Sequence, residues 1–397
     1  MSATLNTTKP RIASIDFLRG LIMVIMALDH TRDYFHIGAM TSTPTDLSTT
    51  TPLLFFTRWI THFCAPLFLF LSGISAFLNG QNKTKKELSI FLIKRGFFLI
   101  VFEIVVMNLI LTFNPAYNII FLITLWAFGW SMVILGLLIR TNAITIAIIG
   151  TILFFGHNLL DKIVLDPNSI STAIINILLT SKGNAFPIGG GHIILVGYTI
   201  LPWASIMLLG YSFGQLFSNT IEAQKRQRFF LIAGLGIITY FLLMRSINMY
   251  GDPNPWATQK NSLFTFLSFF NLTKTPPSLL FGCMTIGPGL IVLSFSENLK
   301  NKFSQIIMVY GKAPLFYFAG HFLLLHLMLV IFFYATGHTN SQIVDSESPF
   351  LFRPTAFGFS LRYVYLLWIA VVIIMYYPCK WFYNYKKSHN SWWLKYM

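Results

Sequence analysis

Runs of apolar residues, each about as long as a bilayer-crossing helix, follow one another along the whole chain and are separated by short polar or basic segments. A hydrocarbon core of about 30 Å takes about 20 helical residues. The pattern therefore predicts an all-α, polytopic transmembrane bundle, with spans near 15–35, 53–78, 88–112, 119–139, 143–160, 192–217, 229–247, 278–295, 313–334 and 359–377. That makes about ten spans. Segment 263–272 is apolar but too short to cross, and reads as interfacial or re-entrant. Pairing it with its neighbour as a full span raises the count to about eleven and flips the later orientation; 303–310 poses the same question on a smaller scale. No soluble-sized stretch stands apart, so 1–397 reads as one transmembrane domain, with spans over about 15–377 and a short basic tail at 378–397. The first run has no small-residue cleavage site after it and reads as a retained span. No internal repeat of the inverted-transporter kind is evident.

Composition agrees: 55% of the 397 residues are hydrophobic and 10% charged, against about 25% charged in soluble domains. The net charge of +15 first suggests nucleic acid. However, the bases form short clusters between the apolar runs rather than one patch: Lys9 and Arg11; Lys83, Lys85 and Lys86; Lys94 and Arg95; Arg140; Lys225, Arg226 and Arg228; Lys300 and Lys302; Lys380, Lys386 and Lys387. This is the positive-inside pattern, which argues against a nucleic-acid partner and puts both termini in the cytoplasm. A basic inner face could hold anionic membrane lipid or a phosphate-bearing substrate. Two outer loops, 158–191 and 335–358, have the length to cover a site or to be plain linkers. The closing SWWLKYM should sit at the inner interface. Cys64, Cys283 and Cys379 lie in or beside apolar runs, with neither zinc nor disulfide spacing, and read as packing residues.

Intramembrane charges carry most of the chemical information, because they are costly at that depth. Asp16 and Arg19 are three apart and share a helix face, and Gly20 allows close helix approach. After an apolar stretch come Asp29, His30, Arg32 and Asp33, near the outer membrane edge or in a vestibule there. A carboxylate near His30 could fix its tautomer and make it a general base. Asp33, one turn ahead, is better placed for this than the adjacent Asp29. The alternative is an interfacial cap with a solvent-facing histidine. His62, near the outer end of the second run, could orient a substrate or hydrogen-bond a neighbouring helix, and Pro66 could bend that run. His321 and His326 are five apart, which is not a metal spacing, and each could line a channel. Glu103 needs a partner or a raised pKa. The tandem Pro276 and Pro277 stop and restart a helix, which makes Asn271, Thr273 and Lys274 either wall residues of a cavity or part of a rigid turn. The GGGH at 189–192 reads as a flexible turn with a weak claim to phosphate. Walker, Rossmann, HExxH and GxSxG motifs are absent.

The segments 16–35, 62–73, 201–214 (LPWASIMLLGYSFG), 271–289 (NLTKTPPSLLFGCMTIGPG) and 311–326, with the Trp-rich tail, resemble the DUF1624 group of bacterial membrane proteins. That group is similar to the catalytic domain of heparan-alpha-glucosaminide N-acetyltransferase, within a wider set of transmembrane acyltransferases. The resemblance implies transfer of an acyl group, acetyl in the family's pattern, from cytosolic acyl-CoA to a sugar hydroxyl or amine on the far face. The matching positions are Asp16, Arg19, Gly20 and His30. It gives His30 the part of general base or acyl relay and Arg19 a structural or CoA-facing part. The first outer segment departs from the lysosomal enzyme, and His36 stands beside His30 as a second candidate for the family's loop histidine. The candidate catalytic set is thus His30, Asp33, Asp29 and His36; the candidate donor-binding set is Arg19, Asp16, Lys274, Asn271 and His326. An acyl-CoA cosubstrate suffices, with no metal. The expected partners are acyl-CoA, an extracytoplasmic carbohydrate or glycolipid and membrane lipids, and a homodimer is compatible with the sequence. With no transit or lysosomal signal in view, the expected location is a bacterial inner membrane. Two other classes fit the intramembrane charges: a secondary transporter or lipid flippase, which moves substrate without consuming acyl-CoA, and a non-catalytic scaffold, in which His30 and Arg19 matter only for folding.

Overall fold

The computed structural model describes residues 12–163, 166, 169–180, 185–218 and 220–397; Lys9 and Arg11 lie outside them. The helices are α1 (Ala13–Phe35), α2 (Pro52–Thr61), α3 (Cys64–Gly80), α4 (Lys85–Phe102), α5 (Asn108–Thr112), α6 (Thr124–Leu138), α7 (Ala143–Gly156), α8 (Ile170–Ile175), α9 (Leu201–Phe213), α10 (Ala223–Ile247), α11 (Ser262–Phe270), α12 (Leu279–Ser296), α13 (Lys302–Lys312), α14 (Pro314–Ala335) and α15 (Leu361–Ser388). Their starts follow from local sequence. The side chains of Thr51, Thr84, Asn142, Asn261, Ser278 and Asn301 each accept a hydrogen bond from a first-turn backbone N–H. Pro52, Pro202 and Pro314 sit in first turns, where a missing N–H costs nothing.

Among the described residues, 6 helices are long and apolar enough to cross a membrane: Pro52–Gly80, Ala143–Asp161, Ala223–Ile247, Leu279–Ser296, Pro314–Ala335 and Leu361–Ser388. This is a multi-pass membrane protein, and the expected count of about ten or eleven spans is overturned. The reasons are physical. Helix α1 carries Asp16, Arg19, Asp29, Arg32 and Asp33, and α4 carries Lys85, Lys86, Glu87, Lys94 and Arg95, too many charges for a purely lipid-solvated span. The run at 119–139 divides into a strand and a helix of 15 residues. The run at 192–217 divides likewise into a strand and a helix of 13 residues, followed by a short 3-10 turn. The assignment of both termini to the cytoplasm rested on how Lys and Arg distribute over that span layout, and it is not carried over to the six-helix layout.

The fold is largely helical, with one addition. Strands β1 (Ile119–Leu122), β2 (Ala185–Gly189) and β3 (His192–Val196) form a small sheet in the order β1-β3-β2. β1 runs parallel to β3, with Ile119 opposite Ile193 and Leu122 opposite Val196, and β2 runs antiparallel to β3. The β-branched Ile119, Ile120, Ile193, Ile194 and Val196 favour extended backbone. The GGGH segment is the β2–β3 turn, where Gly189, Gly190 and Gly191 all have positive φ.

Helix contacts are close where side chains are small. A Cβ on Gly20 would overlap the Ile307 carbonyl, and one on Gly311 would overlap that of Asp16, so α1 and α13 touch backbone to backbone. Gly73 and Gly210 join α3 and α9 in the same way. The peripheral helices turn apolar side chains outward, for example Ile148 and Ile152 on α7, Ile232 and Leu243 on α10, and Ile369 and Ile373 on α15. This is the arrangement expected when lipid is the solvent. In contrast, α12 is largely enclosed by its neighbours.

Candidate active site

A cavity of about 90 Å³ runs along α1 between α3, α4, α6 and the start of α14. It has room for several water molecules, since each needs roughly 10–15 Å³ of such space. Its middle is apolar: Met23, Met26, Ala65, Phe68, Leu99, Phe128 and Met132. Asp29, His30, Tyr198 and Lys274 line one end; Arg95 and Ser72 line it further along.

His30 projects from the last turns of α1. Its Nδ1 lies 2.7 Å from Nε2 of His321 on α14. Nδ1 of His321 in turn lies 2.9 Å from the Tyr317 carbonyl oxygen, which can only accept, so that nitrogen carries the hydrogen. Nε2 of a neutral His321 is then an acceptor, and His30 must donate from Nδ1. The tautomer so assigned leaves a lone pair on His30 Nε2, which has no hydrogen-bond partner among the described residues. Ring contacts fix the geometry: Phe322 stacks on His30 at 4.1 Å and Tyr317 stacks on His321 at 5.2 Å. The arrangement can take a proton at Nε2 while the second ring holds the first in orientation.

The neighbouring charges are compensated. Asp29 accepts from Arg32 at 2.8 Å and from Arg58, and Arg32 also donates to Asp33 at 2.6 Å. Two carboxylates face two guanidinium groups, which is what makes burial of Asp29 and Arg32 tolerable. Asp33, 40% exposed, serves Arg32, and His30 is oriented by His321 rather than by a carboxylate. Lys274 adds a cation at this end and lies 5.7 Å from the Tyr198 ring centroid, with Tyr198 stacked on Trp203 at 4.7 Å.

The other sequence candidates lie elsewhere. His36 caps the end of α1; its Nδ1 accepts from the Gly38 N–H at 3.2 Å, its carbonyl accepts from Arg353 at 2.7 Å, and it does not line the cavity. Burial, with help from Arg32 and Arg353, holds the His36 pKa below the usual histidine value. Asp16 and Arg19 pair at 3.3 Å, and Arg19 also donates to the Gly311 carbonyl and to Ser75 at 2.7 Å, tying α1 to α13 and α3. Asn271 donates to the Thr45 carbonyl and accepts from Arg245, bracing the loop before α12. The two nitrogens of His326 meet the carbonyls of Leu111 and Leu351, each at 3.1 Å, and its ring stacks on Phe113 at 3.7 Å, away from the cavity. Glu103 accepts from the N–H groups of Ile123 and Leu125 and so caps the start of α6. His62 is buried with its ring edge against Phe281. Among the described residues, no group of three His, Cys, Asp or Glu side chains could hold a metal ion.

Residues 11–244 match the family model described as heparan-alpha-glucosaminide N-acetyltransferase, catalytic. The chain belongs to that family. No curated protein matches the chain. Membership supports acyl transfer and an acyl-CoA-type cosubstrate in general terms, and leaves acceptor and donor chemistry unspecified. The matched stretch contains His30, Arg58 and Arg95, whereas Lys274 and His321 come from beyond it. Sequence reasoning passed over Arg58 and the pairing of His321 with His30. Arg58 had a faint local signal as a cation beside the apolar run of α3. The histidine pair spans 291 positions and had none.

Proposed function

We propose that the protein transfers an acyl group, acetyl being the simplest case, from cytosolic acyl-CoA to a sugar hydroxyl or amine of an extracytoplasmic glycan or glycolipid. The placement is a bacterial inner membrane, in keeping with the DUF1624 resemblance. The observation that carries the reading is the His30–His321 pair at a cavity within a chain of this family.

His30 Nε2 takes the proton of the attacking hydroxyl or amine as the new bond to the thioester carbonyl forms. Lys274 offers positive charge where the carbonyl oxygen becomes anionic. Collapse breaks the carbon–sulfur bond, and the proton on His30 passes to the leaving thiolate, giving free CoA and acylated acceptor. His321 holds His30 in the tautomer with its lone pair at Nε2. The paired Asp29, Arg32 and Arg58 stiffen the turn that carries His30. The apolar middle of the cavity suits a pantetheine arm and keeps water from the thioester.

The test follows labelled acetyl from acetyl-CoA in proteoliposomes of the purified protein, with cell-envelope glycans as acceptors. Label on glycan, with stoichiometric release of CoA, is the expected result. Movement of a glycolipid across the bilayer with acetyl-CoA left intact would overturn the reading in favour of a carrier.

A further inference from the structure

Arg95 projects from α4 into the cavity on the side away from His30, and its Nε is sealed from solvent without a hydrogen-bond partner among the described residues. Arg19, whose charge acts on Arg95, lies about 16 Å from His30 along α1 at 1.5 Å per residue. Arg95 as a whole is half-buried, and two fully buried arginines contrast with it. Arg245 donates to the carbonyls of Phe269, Asn254, Ser268 and Asn271, and Arg353 donates to those of Pro354, Phe357 and His36. Arg95 has no such acceptors among the described residues, and the charge that acts on it is a second cation, Arg19, itself paired with Asp16.

The surroundings indicate what is missing. Lys85, in the first turn of α4, reaches the Thr141 carbonyl in the α6–α7 turn, and Lys94 is exposed on another face of α4, so the surface of this helix before Arg95 is basic. The roof of this end is the C-terminal tail. Phe91, Arg95 and Phe98 share one face of α4, and the Tyr396 ring stacks on both phenylalanines, at 6.5 and 5.5 Å. Leu394 and Trp393 pack with Phe382 and Ala313 beside Pro314, which itself lines the cavity.

Resting on the acyl-CoA reading, we propose that Arg95 is the anchor for a phosphate ester of the donor, placed at the opposite end of the cavity from His30 and roofed by the C-terminal tail through Tyr396. A guanidinium recognises a phosphate bidentately and, being more weakly hydrated than an ammonium, loses less on burial. The apolar stretch between Arg95 and His30 then takes the pantetheine arm, so Arg95 sets the depth at which the thioester meets the base. The same phosphate chemistry occurs in anionic lipid headgroups, and the donor is favoured because the cation faces the cavity that reaches His30.

The test measures CoA binding to the full chain in nanodiscs, with wild type, Arg95→Gln, Arg95→Lys and Tyr396→Ala compared after each is shown to melt cooperatively. Phosphate-free pantetheine is the second ligand, and discs with and without phosphatidylglycerol form the third arm. Arg95→Gln should weaken CoA about tenfold, the scale of one charge-assisted contact, and leave pantetheine unchanged. Arg95→Lys should recover part of the loss, and Tyr396→Ala should speed CoA release. CoA binding by wild type with no change in Arg95→Gln overturns the anchor while leaving the acyl-CoA reading intact. Absence of CoA binding by wild type overturns both. A loss in Arg95→Gln that appears only as weaker retention of phosphatidylglycerol assigns Arg95 to lipid and overturns the donor anchor.

Discussion

The two ends of α1 carry the same chemical pair at the same spacing, Asp16 with Arg19 and Asp29 with Arg32, yet the structure uses them differently. At the first end, Arg19 also reaches the Gly311 carbonyl and Ser75, where glycines let α1 and α13 touch. That pair is a staple between helices. At the second end, Asp29 is shared with Arg58 on α2, and the residue between the charges, His30, faces a cavity and a second histidine. Spacing alone makes both pairs possible; what distinguishes them is the company supplied by distant parts of the chain.

The sharpest way to break this comparison is to remove one charge from the second end. Arg58→Gln leaves Asp29 underpaired in a buried setting, which should cost on the order of 3–5 kcal/mol. It should show as a large drop in melting temperature in detergent, and a variant as stable as wild type would mean that the cluster is solvated. Next in size, His321→Leu should lower kcat about 100-fold, within the range for proper use of a general base, with melting unchanged. His321→Gln, whose amide oxygen can accept from His30 Nδ1, should retain more activity than His321→Leu. Equal loss in both would sink the orienting role. Arg19→Gln should then cost about 1–2 kcal/mol of stability through its lost hydrogen bonds, with kcat per folded molecule unaltered.

The smallest effect lies outside the bundle. Hydrogen bonds from the Thr355 hydroxyl and N–H, and from the Glu347 N–H, hold the Asp345 carboxyl below the usual carboxylate range. A carboxylate with a depressed folded pKa stabilises above its unfolded value, near 4, and that contribution disappears as pH falls through the folded one. Asp345→Asn should therefore melt slightly below wild type at neutral pH, and the gap should close in acid. A gap that is constant with pH would contradict the assignment.

What could be read from the sequence divides along local and distant lines. The apolar runs are local signals, and six of them coincide with the helices long enough to cross a membrane. They failed where a run held two elements: the isoleucines of β1 and β3 are as apolar as any span, and only pairing across 74 positions turns them into a sheet. Hydrophobicity also made α1 and α4 look like lipid-solvated spans, although their charges require protein partners. At the site, the concentration of titratable groups at 29–33 was visible, but the choice among them was not. Asp33 has the right helical offset to serve His30, and Arg32 takes it. His326 and Asn271 have the right polarity for a wall, and backbone carbonyls take them. The partner of His30 lies on α14, beyond the reach of any periodicity argument.

In the proposed mechanism, His30 is the group that takes the acceptor's proton. The most direct test is the acetyl-transfer rate in proteoliposomes for His30→Ala beside His36→Ala, each confirmed as folded by its melting curve. The prediction is a loss of about 10²–10⁴-fold in kcat for His30→Ala, with His36→Ala close to wild type. Full activity in His30→Ala, or the loss appearing in His36→Ala instead, would contradict it.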